Sequence, residues 1–181
     1  MPDFIHRIAR LDDLDALHAV MHRAIEHLQS GFLDPEQVRA SHQVMGLDTQ
    51  LILDGTYFLV LDGSTIAGCG GWSYRSTLYG GDTSIVTREP ELLDPATDAA
   101  RIRAMYTNPD YVRQGVGRMI LGLCEAAARA SGFQRVEMMA TMAGEPLYRA
   151  CDYRPIESVL SAPIHGVRVP LLHMGKPLVD R

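Results

Sequence analysis

The sequence predicts an α/β chain of the α+β type, a mixed sheet with helices on both faces. Two observations carry this. Strand-length apolar runs and amphipathic stretches alternate in the order β-α-α-β-β-β-α-β-α-β-β, which suits neither a doubly wound fold nor an all-β one. A strand over residues 99–107 also feeds a helix over 119–130 through the basic, glycine-containing turn Arg113-Gln114-Gly115-Val116-Gly117-Arg118. At 181 residues the chain can bury a core as a single domain, expected to span 1–181.

Residues 4–9 read as the first strand. Asp12 or Asp13 then caps a helix whose inner face is Leu14, Leu17, Met21, Ile25 and Leu28, ending near Ser30-Gly31. Asp34-Pro35-Glu36 starts a second, short helix: an N-cap acceptor, a proline in the first turn, and an acid near the positive end. It ends about Met45-Gly46. Strands over 56–61 and 65–74 flank Asp62-Gly63-Ser64, a hairpin turn whose glycine can take positive φ. Residues 76–98 are irregular, and a loop of that length in a compact domain is usually functional or mobile. After the turn and helix of residues 113–130, which stop at Ser131-Gly132, come a strand over 134–141 and a short helix over 145–151 that closes at Asp152. The tail, 156–174, breaks into two strands around His165-Gly166, and their edge would support a homodimer.

Composition excludes several classes. Seventeen basic residues stand against 22 acidic ones, a net charge of -5, which argues against a general nucleic-acid surface and makes any anion site local. No apolar run is long enough to cross a bilayer, and Met1-Pro2-Asp3-Phe4 does not open like a signal peptide. Cys69, Cys124 and Cys151 form no Cys-x-x-Cys pair, so they read as buried apolar thiols in a reducing cytoplasm rather than a disulfide or zinc framework. His18, His22 and Glu26 share one helical stripe and are ligand types, but the same stripe reads as a polar face opposite Leu14, Leu17 and Met21; no metal is expected.

The strand–turn–helix carries the first chemistry. A helix opening after a short glycine-containing turn leaves backbone N–H groups unpaired, and with the helix dipole they favour anionic oxygen. Gly115 and Gly117 let main chain approach a phosphate without a Cβ in the way. The segment therefore reads as a pyrophosphate cradle for a nucleotide-bearing cofactor. No Gly-x-x-x-x-Gly-Lys-Ser/Thr occurs, and the glycines are too late and too close together for a dinucleotide fingerprint.

These residues resemble the GNAT superfamily of acyl-CoA-dependent N-acyltransferases. The likeness covers nearly the whole chain in element order. It is most specific over residues 105–122, which include the Pro-x-Tyr-x-Arg-Gln-Gly-x-Gly-Arg run from Pro109 to Arg118, and over 141–153, which contain Pro146-Leu147-Tyr148-Arg149-Ala150-Cys151-Asp152-Tyr153. It implies a mostly antiparallel sheet of six to seven strands with a splayed central pair and about four helices. It further implies acetyl-CoA as co-substrate, with its diphosphate on the amides from Arg113 through Gln114, Gly115, Val116 and Gly117 to Arg118. The pantetheine arm would pair with the main chain of Met105, Tyr106 and Thr107. Three positions depart from the family pattern: Val112 replaces a usual Gln or Arg, Ala143 a usual Asn, and Asp152 a usual Gly, although Asp tolerates the left-handed conformation.

The resemblance implies acetyl transfer to a primary amine on a small molecule or peptide, by direct attack on the thioester. Tyr148 is the expected general acid at the leaving thiolate, since a phenol of pKa ~10 is protonated at neutral pH. A backbone N–H near Tyr106 is the expected oxyanion donor. No base is assigned: residues 99–107 hold no carboxylate, and Glu137, Asp82 and Glu26 read as surface acids. Trp72, Tyr74, Arg75 and Tyr79 would border the acceptor pocket, although Trp72 reads equally as core. The alternative to an enzyme is a non-catalytic CoA-binding sensor.

Overall fold

The computed structural model describes residues 2–179, so Met1, Asp180 and Arg181, the ends of the expected 1–181 domain, lie outside the described residues. In chain order the elements are β1 (Ile5–Ile8), α1 (Leu14–Leu28), α2 (Pro35–Val44), α3 (Thr49–Leu53), β2 (Tyr57–Asp62), β3 (Thr65–Ser73), β4 (Ala100–Thr107), α4 (Val116–Ala130), β5 (Arg135–Thr141), α5 (Glu145–Ala150), β6 (Arg154–Leu160) and β7 (Pro170–Pro177). The seven strands form one sheet in the order β1-β2-β3-β4-β5-β7-β6. Every neighbouring pair is antiparallel except β4 and β5.

The parallel pair is splayed. Only Ala100 with Val136 and Arg101 with Glu137 are in register, so from Ile102 onward β4 has no partner in β5. On its other side β4 pairs with β3, with a break in register between Cys69 and Gly71. Ala104, in that break, takes φ 49°, and its carbonyl accepts a hydrogen bond from the Tyr57 hydroxyl at 2.6 Å. A bulged, one-sided β4 therefore leaves an open wedge in the middle of the sheet.

Strand periodicity sorts the core into two layers. Tyr57, Leu59 and Leu61 of β2 join Leu17 and Met21 of α1, whereas Val60 joins Val116, Ile120 and Cys124 of α4. Successive residues of a strand face opposite sides, so α1 and α4 cover opposite faces of the sheet. A third cluster joins Ile25 of α1, Val38 and Val44 of α2, and Leu171 of β7.

Among the described residues there are five α-helices, in keeping with the expected four or so plus one short addition. The extra one, α3, is five residues long, too short for a periodic apolar signal, and the Asp48 carboxylate caps it by accepting from the Gln50 N–H. Neither Asp12 nor Asp13 caps α1 by its side chain: the Asp13 carboxylate is taken by Arg7 and by the Arg10 N–H, within a 3-10 turn that precedes the helix. Asp34 caps α2 as expected, accepting from Gln37 N–H. The 76–98 segment is irregular but tied down. Its backbone bonds to Tyr74, Gln43 and Leu47, and Arg88 reaches both Asp48 and Asp82. All three cysteines are buried and free.

Candidate active site

A cavity of about 670 Å³ opens at the splay, walled by β4, the turn into α4, α5, the end of α1 and the 76–98 segment. The turn is built locally. Asn108, buried, accepts the Asp110 N–H at 3.1 Å and donates to the Ile66 carbonyl at 3.0 Å. Arg23 of α1 bonds Asn108 at 3.1 Å and pairs with exposed Asp110, so α1 braces the loop from across the sheet. Arg113 and then Gly115 take positive φ, 62° and 85°, which reverses the chain into α4. Gly115 is the N-cap residue and no side chain caps the helix, so its first amides are left to whatever enters the cavity. Helix α4 thus starts at Val116, a turn earlier than its apolar spacing suggests, with the Met119 N–H bonded to the Gly115 carbonyl at 3.0 Å.

Met105, Tyr106, Thr107, Arg113, Gly115, Val116, Gly117, Arg118 and Tyr148 all lie on the cavity wall. Gln114 does not: its amide turns back to donate to the Asp110 carbonyl at 3.3 Å. The two glycines of the turn differ in role. Gly115 is open on its Cβ side and is required by its φ, whereas a Cβ on Gly117 would sit 2.5 Å from Cδ2 of Leu147. Gly117 therefore lets α5 close on α4, and α5 carries Tyr148.

Tyr148 packs its ring over Gly144, where a Cβ would come within 2.7 Å of it. Its hydroxyl bonds to no described residue, unlike those of Tyr57, Tyr111 and Tyr153, which donate to Ala104, Asp62 and Glu125. Burial, with the neighbouring Cys124 and Cys151, holds the Tyr148 phenol well above its ordinary value, so it remains a proton donor. After α5 the chain turns at Asp152, φ 69°, in the left-handed region.

Arg103 is the unanticipated wall residue. It is buried in β4, its guanidinium pairs with Asp48 at 3.1 Å, and it donates to the carbonyls of Gly80 and Thr77. Burial pulls it below the ordinary arginine value and Asp48 opposes that. Gln29, in the 3-10 turn that follows α1, also lines the cavity, and neither residue stood in a motif. Of the aromatic cluster expected at the pocket only Tyr79 lines it. Trp72 is core, edge-on to Phe133 and Tyr74, and Arg75 pairs with Asp54 at 2.7 Å. Glu137, Asp82 and Glu26 are off the wall, engaged with Arg101 and His173, with Thr49 and Arg88, and with His42. His22 stacks on that same His42, and among the described residues no cluster of three or more ligand-type side chains is placed to hold a metal.

The model of the Acetyltransferase (GNAT) family matches residues 21–153. Among curated proteins none matches the sequence. A GCN5-related N-acetyltransferase from Rhodopseudomonas palustris superposes with a TM-score of 0.69 at 19% identity, over 98% of this chain and 96% of that one. The yncA protein of Salmonella typhimurium, solved with its cofactor acetyl-CoA, has a TM-score of 0.64 at 15% identity, covering 99% and 96%. PaiA N-acetyltransferase of Thermoplasma acidophilum, solved in complex with coenzyme A, has 0.61 at 12% identity, covering 97% and 99%.

Proposed function

This chain belongs to the GNAT acetyltransferase family, and from that premise we propose that it moves an acetyl group from acetyl-CoA to a primary amine by direct attack on the thioester. The observation that carries the reading is that the uncapped start of α4 and the unpartnered Tyr148 hydroxyl open onto one cavity. The residues fit acetyl-CoA: free amides and two guanidiniums for a diphosphate, and an unpaired β4 edge for an extended amide-bearing arm.

Acetyl-CoA supplies the carbonyl that is attacked and the sulfur that leaves. The first amides of α4, with Arg113 and Arg118, hold the diphosphate. Main chain of Met105, Tyr106 and Thr107 pairs with the pantetheine arm and sets the carbonyl in the wedge, where a backbone N–H near Tyr106 stabilises its oxygen. Tyr148 donates its hydroxyl hydrogen to the departing sulfur as the carbon–nitrogen bond forms and the carbon–sulfur bond breaks. The proton lost by the amine passes to water, and water returns one to the Tyr148 phenolate. The reading includes one domain over 1–181, an acceptor on a small molecule or peptide, a cytoplasmic setting suited to three free thiols, and a homodimer through edge strand β6.

Calorimetry with acetyl-CoA, followed by measurement of CoA thiol release on adding an amine, tests it. One-to-one binding and amine-dependent release are expected. A chain that does not bind acetyl-CoA is not this enzyme.

A further inference from the structure

We propose that the end of the cavity away from the α4 turn is a chamber for a weakly basic amine on an aromatic body, which enters uncharged. This rests on the acetyl-transfer reading and concerns the acceptor alone.

The chamber lies between the end of α1, the end of α2, the 76–98 segment and β5. Ile25, Leu28, Phe32, Met45, Tyr79 and Met139 form its wall. Ile25, Met45, Tyr79 and Met139 belong to one apolar cluster, and Phe32, 56% exposed, stands at the rim. Aromatic rings and methionine sulfurs on facing elements suit a flat ring, through edge and sulfur–ring contacts an alkyl chain cannot make.

Charge decides the rest. Among the described residues the titratable groups on the whole cavity wall are four tyrosines and three arginines. No carboxylate or histidine meets an ammonium there. The nearby acids are engaged elsewhere: Glu26 of α1 with His42, Asp48 with Arg103 and Arg88, Asp82 with Arg88, and Glu137 with Arg101 and His173. A cation entering this apolar space loses hydration and gains no carboxylate to offset its charge. An aliphatic amine, lysine-like at pKa about 10.4, would first have to shed a proton that no wall group accepts. An arylamine is already neutral at pH 7, and its nitrogen attacks without a base. The polar atoms left are the Tyr79 and Tyr106 hydroxyls and the buried Gln29 amide. Tyr106 accepts the Gly46 N–H at 2.9 Å, and the Gln29 carbonyl has no described partner. They suit a neutral donor.

The test measures CoA release by the full chain, at saturating acetyl-CoA, with 4-methylaniline, butylamine, spermidine and a lysine-containing peptide. The arylamine is expected to show kcat/KM at least about tenfold above the other three at neutral pH. Its rate should be flat from about pH 6.5 to about pH 9, because the arylamine is neutral throughout that range. Phe32→Glu, at an exposed position, should lower arylamine kcat/KM about fivefold through KM and leave acetyl-CoA affinity unchanged. Preference for spermidine or the peptide, or acetyl-CoA binding with no arylamine turnover, overturns the chamber while leaving the cofactor site standing. Failure to bind acetyl-CoA removes both readings.

Discussion

Tyr148 is the side chain whose chemistry is easiest to isolate, because its hydroxyl does no structural work among the described residues. Tyr148→Phe removes one oxygen and no hydrogen bond, so the thermal midpoint should hardly move. If the phenol donates to the leaving sulfur, kcat should fall about 10²-fold with acetyl-CoA affinity kept within about twofold. Normal turnover in this variant would take Tyr148 out of the mechanism. Its position was readable from the Pro146-to-Tyr153 segment, but its lack of a partner was not, because that depends on how α5 seats on Gly117 and Gly144. Gly117 shows the same limit. A glycine in a basic turn suggests room for a phosphate, whereas its Cβ side is taken by Leu147, a contact between residues 30 positions apart.

At the level of elements, the proposed cradle requires α4 to lie close against the sheet. Gly68 of β3 makes this approach possible: a Cβ there would stand 2.5 Å from Cγ1 of Val116, the first residue of α4, and 3.1 Å from the Tyr106 carbonyl. Gly68→Ala should therefore lift the start of the helix, cost about 1–3 kcal/mol in chemical denaturation, and weaken acetyl-CoA binding. Adding Val116→Ala should recover part of both, and Gly122→Ala, exposed on the same helix with nothing near its Cβ, should do neither. No loss from Gly68→Ala, or a loss matched by Gly122→Ala, would mean that the close approach at Gly68 does not govern the site. The helix itself was legible in its apolar spacing and its Ser131-Gly132 stop. Its first turn was not, because Val116-Gly117-Arg118 begins on a left-handed Gly115 rather than on a capping side chain.

Across the whole molecule, the long irregular segment works as a strap rather than a flexible excursion. Asp48 is its buckle: nearly buried, it pairs with buried Arg103 of β4 and with Arg88 of the segment, and Arg103 in turn holds the Thr77 and Gly80 carbonyls. Asp48→Ala strands a buried guanidinium and should cost about 3–5 kcal/mol, with new protease cuts confined to 76–98. Asp48→Leu combined with Arg103→Met should cost much less, since it leaves no charge unpaired. If the single variant unfolds like the parent and resists protease, the strap is held by its backbone bonds alone. The aromatic chamber would then need another support.

Local pattern alone determined the element order apart from α3, the hairpins, the cap at Asp34, the turn at Asp152, and the basic glycine turn that leads into α4. These depend on residues within a few positions of one another, where propensity and spacing act directly. The family resemblance implied a splayed central pair, whereas only the tertiary structure decided where β4 leaves β5, the bulge at Ala104, the burial of Arg103 with Asp48, and a cavity wall that holds no carboxylate among the described residues. Each arises from side chains tens of residues apart competing for one space, and no one-dimensional pattern records which of them wins.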